Sequence, residues 1–200
     1  MTRFLVDGPD DAARTFVFAP GAGGSMASPF MATIARGIAE HGIRVVRFEF
    51  AYMAAGKKRP DPQPVVLDEW RAVVRELGDG RRLVIGGKSF GGRMASLVAD
   101  ELDVTGLLCY GYPFHPPGKR DKLRTAHLEN LRTPALIVQG TRDPFGSRED
   151  VAGYSLSPSI RIAWIEGGDH SFKPRSSSGR TETETLAEAV ARVREFLAGL

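Results

Sequence analysis

Ser89 lies in the run VIGGKSFGG, whose glycine spacing allows two kinds of chemistry. The letters GKS end like a phosphate-binding P-loop, in which the serine binds a magnesium ion, whereas GKSFG fits the G-x-S-x-G turn that presents a serine nucleophile. A P-loop also needs an earlier glycine, and at the required spacing the chain has Arg82. Arg82 and the residues after it have the composition of a strand that leads directly to Ser89, which leaves no room for a phosphate-binding loop. The missing glycine and this strand exclude the P-loop and favour the nucleophile turn.

A serine nucleophile needs a base within hydrogen-bond reach and a carboxylate that orients this base. On the fold that uses the G-x-S-x-G turn, the chain order is serine, acid, histidine. His170 follows the last predicted strand and is the expected base, whereas His127 falls in a predicted helical run, DKLRTAHLENL, and is expected to have a surface or capping role. Asp143 follows the preceding strand and is the expected acid, although it could also cap a short helix; Asp150 is expected to be solvated.

A hydrolytic site of this kind also needs an oxyanion hole, a pair of backbone N–H groups that bind the developing negative charge. The residue after the nucleophile, Phe90, is expected to supply one of them. The loop PGAGGSM, which follows the first predicted strand, is expected to supply the other from Ala22 or, as second choice, from Gly23. A dinucleotide-binding G-x-G-x-x-G is not matched by this loop, because its last position is Met26.

Side chains in the loops that follow strands are predicted to form the rim of the substrate site. They are Met26, Tyr52, Lys57, Lys58, Arg59, Lys88 and His115. The basic residues in these loops have two interpretations. Solvated surface charge is the more common role of such runs, and attraction of an acidic substrate or partner surface is the other.

The elements that must position these residues alternate along the chain. Runs rich in β-branched and aromatic residues predict strands at 14–19, 43–50, 82–87, 104–111, 134–140 and 160–167. Segments with helical period lie between them; one begins after the N-cap Ser28, one includes residues 66–77, one follows Ser89 and one begins near Thr183. The alternation predicts an α/β fold with a mostly parallel sheet of six or seven strands, helices on both faces and ligands bound beyond the carboxyl ends of the strands.

Length and composition restrict the remaining possibilities. Two hundred residues with 42% apolar composition predict one domain over residues 1–200, and the lack of a long apolar run predicts a cytoplasmic protein without a membrane partner. Cys109 is the only cysteine, which excludes an intramolecular disulfide and a cysteine metal cage, and we expect neither a metal nor a cofactor. A net charge of +3 is too weak to indicate nucleic-acid binding, and the oligomeric state stays open.

With Ser89, Asp143 and His170 in this order after successive strands, the chain resembles the α/β-hydrolase superfamily over nearly its whole length. The motifs FAPGAGGSM, GKKRPDP, GKSFGGRMAS, LIVQGTRDPFG and GGDHSF are more narrowly similar to a small cap-less dienelactone-hydrolase-like group, which includes testis-expressed protein 30 and the third subunit of the non-specific lethal histone-acetyltransferase complex. Dienelactone hydrolases proper have a cysteine at the position of Ser89, so the resemblance does not imply dienelactone activity.

The resemblance implies a serine hydrolase that cleaves a small-molecule carboxylic ester or thioester. Only 22 residues separate Gly111 from Pro134, which is too few for the helical lid that this superfamily often inserts there, so we expect a shallow, open pocket. Because a fold alone does not establish function, a non-catalytic interaction module of the same fold is the alternative.

Overall fold

Residues 2–200 are described by a computed structural model, in which seven strands form one sheet. The strands are β1 (Phe4–Asp7), β2 (Thr15–Ala19), β3 (Arg44–Phe48), β4 (Leu83–Lys88), β5 (Gly106–Tyr110), β6 (Ala135–Gly140) and β7 (Ile160–Ile165), in the spatial order β1-β3-β2-β4-β5-β6-β7. All neighbours from β3 to β7 are parallel, and β1 pairs antiparallel with β3. The predicted fold class and its six strands are therefore confirmed, and β1 is an edge strand that the sequence patterns did not predict.

In the described part of the chain, six α-helices connect or follow these strands. They are α1 (Pro29–Ala39), α2 (Ala51–Ala54), α3 (Gln63–Leu77), α4 (Phe90–Ser96), α5 (Arg148–Val151) and α6 (Glu182–Ala198). The Ser28 hydroxyl accepts a hydrogen bond from the Met31 N–H and caps α1 as predicted. Thr181 and Glu184 form a reciprocal capping box that begins α6.

The helical run predicted around His127 is wrong, because residues 121–131 contain only one 3₁₀ turn, Ala126–Leu128. The N–H of Arg124 donates to the carbonyl oxygen of Phe114, at 2.7 Å, and not to a carbonyl one turn earlier in its own segment. This long-range hydrogen bond ties the segment to the loop after β5, and a continuous helix cannot form there.

Alternate residues of the strands point into two apolar layers, one on each face of the sheet. In β4, Ile85 packs in the layer that includes Trp70 of α3 and Met94 of α4, whereas Val84 packs in the layer that includes Ile34 of α1 and Val193 of α6. The two layers fix the sheet between helices, so the carboxyl ends of β2, β4, β6 and β7 are held at one edge.

The loops at this edge leave it uncovered by a helical cap. Residues 111–134, between β5 and β6, contain no α-helix, in agreement with the expected absence of a lid. Among the helices of residues 2–200, none is both long enough and apolar enough to cross a membrane.

Candidate active site

Ser89 occupies a strained turn between β4 and α4. Its backbone has φ of 49° and ψ of −112°, a conformation that non-glycine residues rarely adopt and that typically costs about 1–3 kcal/mol. The turn is held by hydrogen bonds at both backbone groups, from the Ser89 N–H to Tyr110 O at 2.8 Å and from the Arg93 N–H to Ser89 O at 2.9 Å. Such strain is typical of functional turns, and here it projects the hydroxyl beyond the end of the strand.

The turn also requires close approach between α4 and β2. A Cβ atom at Gly91 would lie 2.6 Å from the carbonyl oxygens of both Ala19 and Pro20, which is closer than van der Waals contact allows. Because both oxygens belong to the backbone, they cannot move aside as a flexible side chain would. Gly91 therefore lets α4, the helix after Ser89, pack against β2, which leads into the predicted oxyanion loop.

We expect Gly91→Ala to lower the free energy of unfolding by about 1–3 kcal/mol, the range typical of overpacking. The displaced Ala19–Pro20 backbone should also reduce the reactivity of Ser89. Urea unfolding followed by circular dichroism measures the first effect. Gly23→Ala is the matched control, because a Cβ there would meet no atom within 4 Å. Equal unfolding midpoints for the two variants would contradict this packing account.

The three residues expected to form a triad lie within hydrogen-bond reach of one another. His170 Nε2 is 2.9 Å from Ser89 Oγ, and His170 Nδ1 is 2.8 Å from Asp143 Oδ2. Asp143 is fully buried, whereas the His170 side chain is 22% exposed. The imidazole therefore joins the hydroxyl of the half-buried Ser89 to a carboxylate that solvent does not reach.

Three donors hold the Asp143 carboxylate in place. Its Oδ1 accepts from the Phe145 N–H at 2.8 Å, and its Oδ2 accepts from Gln139 Nε2 at 3.0 Å as well as from His170. Gln139 is itself fully buried, and its Oε1 accepts from the Tyr112 N–H at 2.7 Å. Gln139 was missed by the sequence reasoning, although a polar residue inside the apolar strand PALIVQG was an available signal.

Two expectations for the acidic residues need correction. The cap of α5 is Ser147 and not Asp143. Asp150 is not solvated, because its side chain is 11% exposed, forms a capping box with Ser147 and contacts Arg120 Nε at 2.9 Å. These contacts commit Asp150 to the start of α5, and they leave Asp143 as the carboxylate beside His170.

The predicted oxyanion loop passes next to Ser89. The position of a Cβ atom at Gly21 would be 3.6 Å from Ser89 Cβ, and the Tyr52 hydroxyl donates to the carbonyl oxygen of Ala22 at 2.9 Å. Within residues 2–200, the N–H groups of Ala22, Gly23 and Phe90 have no hydrogen-bond acceptor. These N–H groups are thus available to a bound oxygen atom.

Four of the seven predicted rim residues are buried and do not form a rim. Tyr52 is fully buried, and this burial raises the pKa of its hydroxyl to about 12. Its hydroxyl holds Ala22 in place by donating a hydrogen bond to the Ala22 carbonyl oxygen. Met26 is 4% exposed, its N–H donates to Glu49 Oε1 and its carbonyl oxygen accepts from Arg47 Nη1. These two residues hold the predicted oxyanion loop in place.

The other two buried residues are His115 and Lys88. His115 is 1% exposed, with Nδ1 at 2.9 Å from Pro116 O and Nε2 at 3.7 Å from Asp150 Oδ2. Lys88 is 9% exposed, and its Nζ donates to the main-chain oxygen of His170. Both side chains point into packed protein, so only Lys57, Lys58 and Arg59 remain as exposed rim candidates.

His127 forms hydrogen bonds inside the protein. Its Nε2 is 2.8 Å from Ser96 Oγ and 3.3 Å from the Tyr112 hydroxyl. Burial, with a smaller contribution from Arg93, lowers the pKa of His127 to about 4, so the ring is neutral near pH 7. The expected surface or capping role is therefore corrected to a structural role on the face that contacts α4.

No group of three or more His, Cys, Asp or Glu residues in the described chain is arranged to hold a metal ion. The groups available for chemistry at this edge of the sheet are a hydroxyl, an imidazole and a carboxylate, connected in that order by hydrogen bonds. Such an arrangement can transfer a proton away from the hydroxyl while its oxygen attacks an electrophilic carbon.

Comparison with known proteins gives a family model, described as an alpha/beta hydrolase domain, that matches residues 12–198. The chain is also 29% identical over 138 residues to the rat protein ABHD14B, which is named as a candidate protein-lysine deacylase. This match covers 66% of the chain and 63% of the rat protein, so the chain spans less than two thirds of the length of this relative.

Solved structures with a similar fold include the following two. An alpha-beta serine hydrolase homologue from Coxiella burnetii has a TM-score of 0.73 at 23% identity, and the match covers 95% of this chain and 90% of that chain. A dienelactone hydrolase from Anabaena variabilis has a TM-score of 0.71 at 19% identity, covering 97% and 91%. At these identities the similarity shows the fold alone.

Proposed function

This chain belongs to the alpha/beta hydrolase family, and on that premise we propose that it is a serine hydrolase that cleaves a carboxylic ester or thioester. The observation that supports the proposal most directly is the hydrogen-bond line from Asp143 through His170 to Ser89. The family match over residues 12–198 supports hydrolysis as the function class, and the ester or thioester preference is our inference from the site.

In the first step, Ser89 Oγ attacks the carbonyl carbon of the substrate while His170 Nε2 takes the hydroxyl proton. Asp143 accepts a hydrogen bond from Nδ1–H, which fixes the tautomer that leaves Nε2 free to act as a base. The carboxylate also stabilises the positive charge that forms on the ring. The fully buried position of Asp143 strengthens this interaction, because little water screens it.

The tetrahedral intermediate carries its negative charge on the former carbonyl oxygen. We assign the N–H groups of Phe90 and Ala22 to this oxygen, with Gly23 as the second choice in the same loop. His170 then gives its proton to the leaving group, and the acyl group remains on Ser89. A water molecule, deprotonated by His170, releases the acyl group by the same steps.

The open edge of the sheet favours substrates whose acyl carbon can be reached without passing a lid. A thioester or activated ester has a good leaving group, so it places the least demand on proton donation from His170. An N-acyl-lysine amide belongs in the same test, because the name of the rat relative refers to lysine deacylation. The amide needs a fully protonated leaving nitrogen, and it is expected to react more slowly.

The experiment is a hydrolysis panel of p-nitrophenyl esters, acyl-CoA thioesters and an N-acyl-lysine peptide, measured with pre-steady-state kinetics. We expect turnover of at least one ester or thioester, with an initial burst of leaving group equal to the enzyme concentration if deacylation is slow. The alternative is a non-catalytic interaction module. Absence of both turnover and burst across the panel would favour that alternative.

The basic rim gives a separate prediction. Lys57, Lys58 and Arg59 are exposed in the loop after α2, and Lys57 Nζ is 3.3 Å from Asp61 Oδ1. If they attract an acidic substrate, its kcat/KM should fall with added salt, because the Debye length is only about 8 Å at physiological ionic strength. A neutral ester of equal size should barely respond.

The control for this prediction is the triple variant Lys57→Ala, Lys58→Ala, Arg59→Ala. It should remove the salt response of the acidic ester and leave the neutral ester unchanged. Identical salt dependence of the two esters in the unmodified protein would show that these residues only contribute surface charge.

The narrower sequence predictions remain proposals. They are a single domain over residues 1–200, a cytoplasmic location and a particular relation to testis-expressed protein 30 and the third subunit of the non-specific lethal complex. The similar fold of the dienelactone hydrolase from Anabaena variabilis supports the broader resemblance to dienelactone-hydrolase-like proteins.

A further inference from the structure

We propose that Lys88 is a positioning residue that holds the His170 loop against the nucleophile strand, a role that rests on the proposed serine-hydrolase function. Lys88 is the last residue of β4 and directly precedes Ser89. Its Nζ donates to the main-chain oxygen of His170, in the loop that follows β7. One side chain therefore connects the strand that carries the nucleophile to the loop that carries the base.

The path of the Lys88 side chain follows from strand alternation. Val84 points into the layer between the sheet and helices α1 and α6, and Lys88 has the same parity, so it points to the same face. There its ammonium group lies 5.4 Å from the ring centroid of Phe30 and 5.9 Å from that of Phe172. Aromatic faces at these distances stabilise a cation, and Lys88 is largely removed from solvent.

The neighbouring strand leaves room for this connection. Gly111 follows β5 with φ of 61°, and a Cβ atom there would lie 2.7 Å from both His170 O and Lys88 Nζ. The same position would be 3.2 Å from His170 Nδ1. The absence of a side chain at Gly111 therefore allows the lysine and the histidine loop to meet directly behind the imidazole.

Burying a lysine among apolar side chains is energetically unfavourable, because burial disfavours the charged form. Burial lowers the pKa of Lys88 to about 8, and the carboxylates of Asp143 and Asp169 oppose this shift. The other groups near it are the Phe30 and Phe172 rings, the His170 carbonyl and, on the adjacent strand, the buried Tyr110. The charged form makes the stronger hydrogen bond to the carbonyl, so the loop is held most firmly below about pH 8.

The proposal predicts that kcat of the unmodified enzyme declines above about pH 8, as Lys88 loses its proton. In Lys88→Met, which keeps an apolar stem but has no donor, kcat should be about tenfold lower near pH 7 with KM changed less than about twofold. The decline above pH 8 should disappear. Lys122→Met is the matched control, because Lys122 is exposed and lies outside the predicted rim, and it should keep the full pH profile.

A second measurement does not depend on activity. Hydrogen exchange at the amides of Asp169, Phe172 and Lys173, which form the turn around His170, should be faster in Lys88→Met. Faster exchange supports the proposal even if the unmodified protein hydrolyses no substrate, a result that would reject only the hydrolase function. Unchanged exchange, or an unchanged pH profile in an active Lys88→Met, would overturn the positioning role.

Folding of the variant is expected, because replacing a buried ammonium by a thioether removes a desolvated charge. If Lys88→Met nevertheless fails to fold, the unmodified enzyme provides the test. A decline of kcat near pH 8 supports the proposal. A flat profile to about pH 9.5 contradicts it, because Lys88 would then lose its proton without any effect on kcat.

Discussion

Ser89→Ala should lower kcat/KM by about 10⁴-fold or more, to the residual level set by substrate binding and the oxyanion hole. Among residues 2–200 the Ser89 hydroxyl has one hydrogen-bond partner, His170 Nε2 at 2.9 Å, and it fills no core volume. The free energy of unfolding should therefore change by less than about 1 kcal/mol. Steady-state kinetics and urea unfolding on the same preparation measure the two effects.

The control for this variant is Ser171→Ala, which removes an exposed hydroxyl next to the base. It should keep near-normal activity and stability. Retained turnover in Ser89→Ala would point to another nucleophile or to background hydrolysis, and it would remove the basis for the acyl-enzyme.

Asp143→Asn should lower kcat by about 10³–10⁴-fold, the effect expected when a triad histidine loses its tautomer control. In the carboxylate, Oδ1 accepts from the Phe145 N–H and Oδ2 accepts from both Gln139 and His170. An asparagine must present an NH₂ group at one of these positions, where donors already point inward. The ring of His170 then adopts the wrong tautomer or loses its partner.

Asp150→Asn is the matched control for the acid. Its carboxylate caps α5 through Ser147 and pairs with Arg120, so the change should reduce stability and leave kcat within about threefold. Activity measured at saturating substrate, together with thermal unfolding, distinguishes the two variants. The reverse pattern, with Asp150→Asn inactive and Asp143→Asn active, would show that the acid is assigned to the wrong residue.

Much of the sheet and the order of the site residues could be predicted from the sequence. Strands such as PALIVQG are almost wholly apolar, because both faces are covered, and this marks them without reference to tertiary structure. Once the strands are placed, the parallel sheet brings the residues that follow them to one edge. The meeting of Ser89, Asp143 and His170 follows from that topology.

The directions of loop side chains could not be predicted in the same way. A loop position says which edge of the sheet a residue approaches, but Tyr52 and His115 are turned inward by packing with residues distant in sequence. Lys88 is a different case, because it is the last residue of a strand and its parity with Val84 already indicated an inward direction. The charge of Lys88 suggested a position on the exposed rim, whereas the alternation of side chains along β4 directs it into the protein.

β1 and Gln139 show two further limits. β1 has four residues at the sheet edge and, within residues 2–200, pairs with β3 alone, so its pattern is too short to distinguish it from a turn. Gln139 contributes through three acceptors that surround its amide, Tyr112 O, Asp143 Oδ2 and Gly146 O, and this network exists only after β5 and β6 pair.

The central claim is that Ser89 is a nucleophile activated by His170, and covalent labelling by a fluorophosphonate tests it most directly. The reagent reacts only with a serine that has a base and an oxyanion hole, and it does not require knowledge of the natural substrate. Intact-mass spectrometry followed by peptide mapping should find one adduct per chain, on Ser89, and His170→Ala should abolish it. An unlabelled protein, or an adduct on any other residue, would contradict the account.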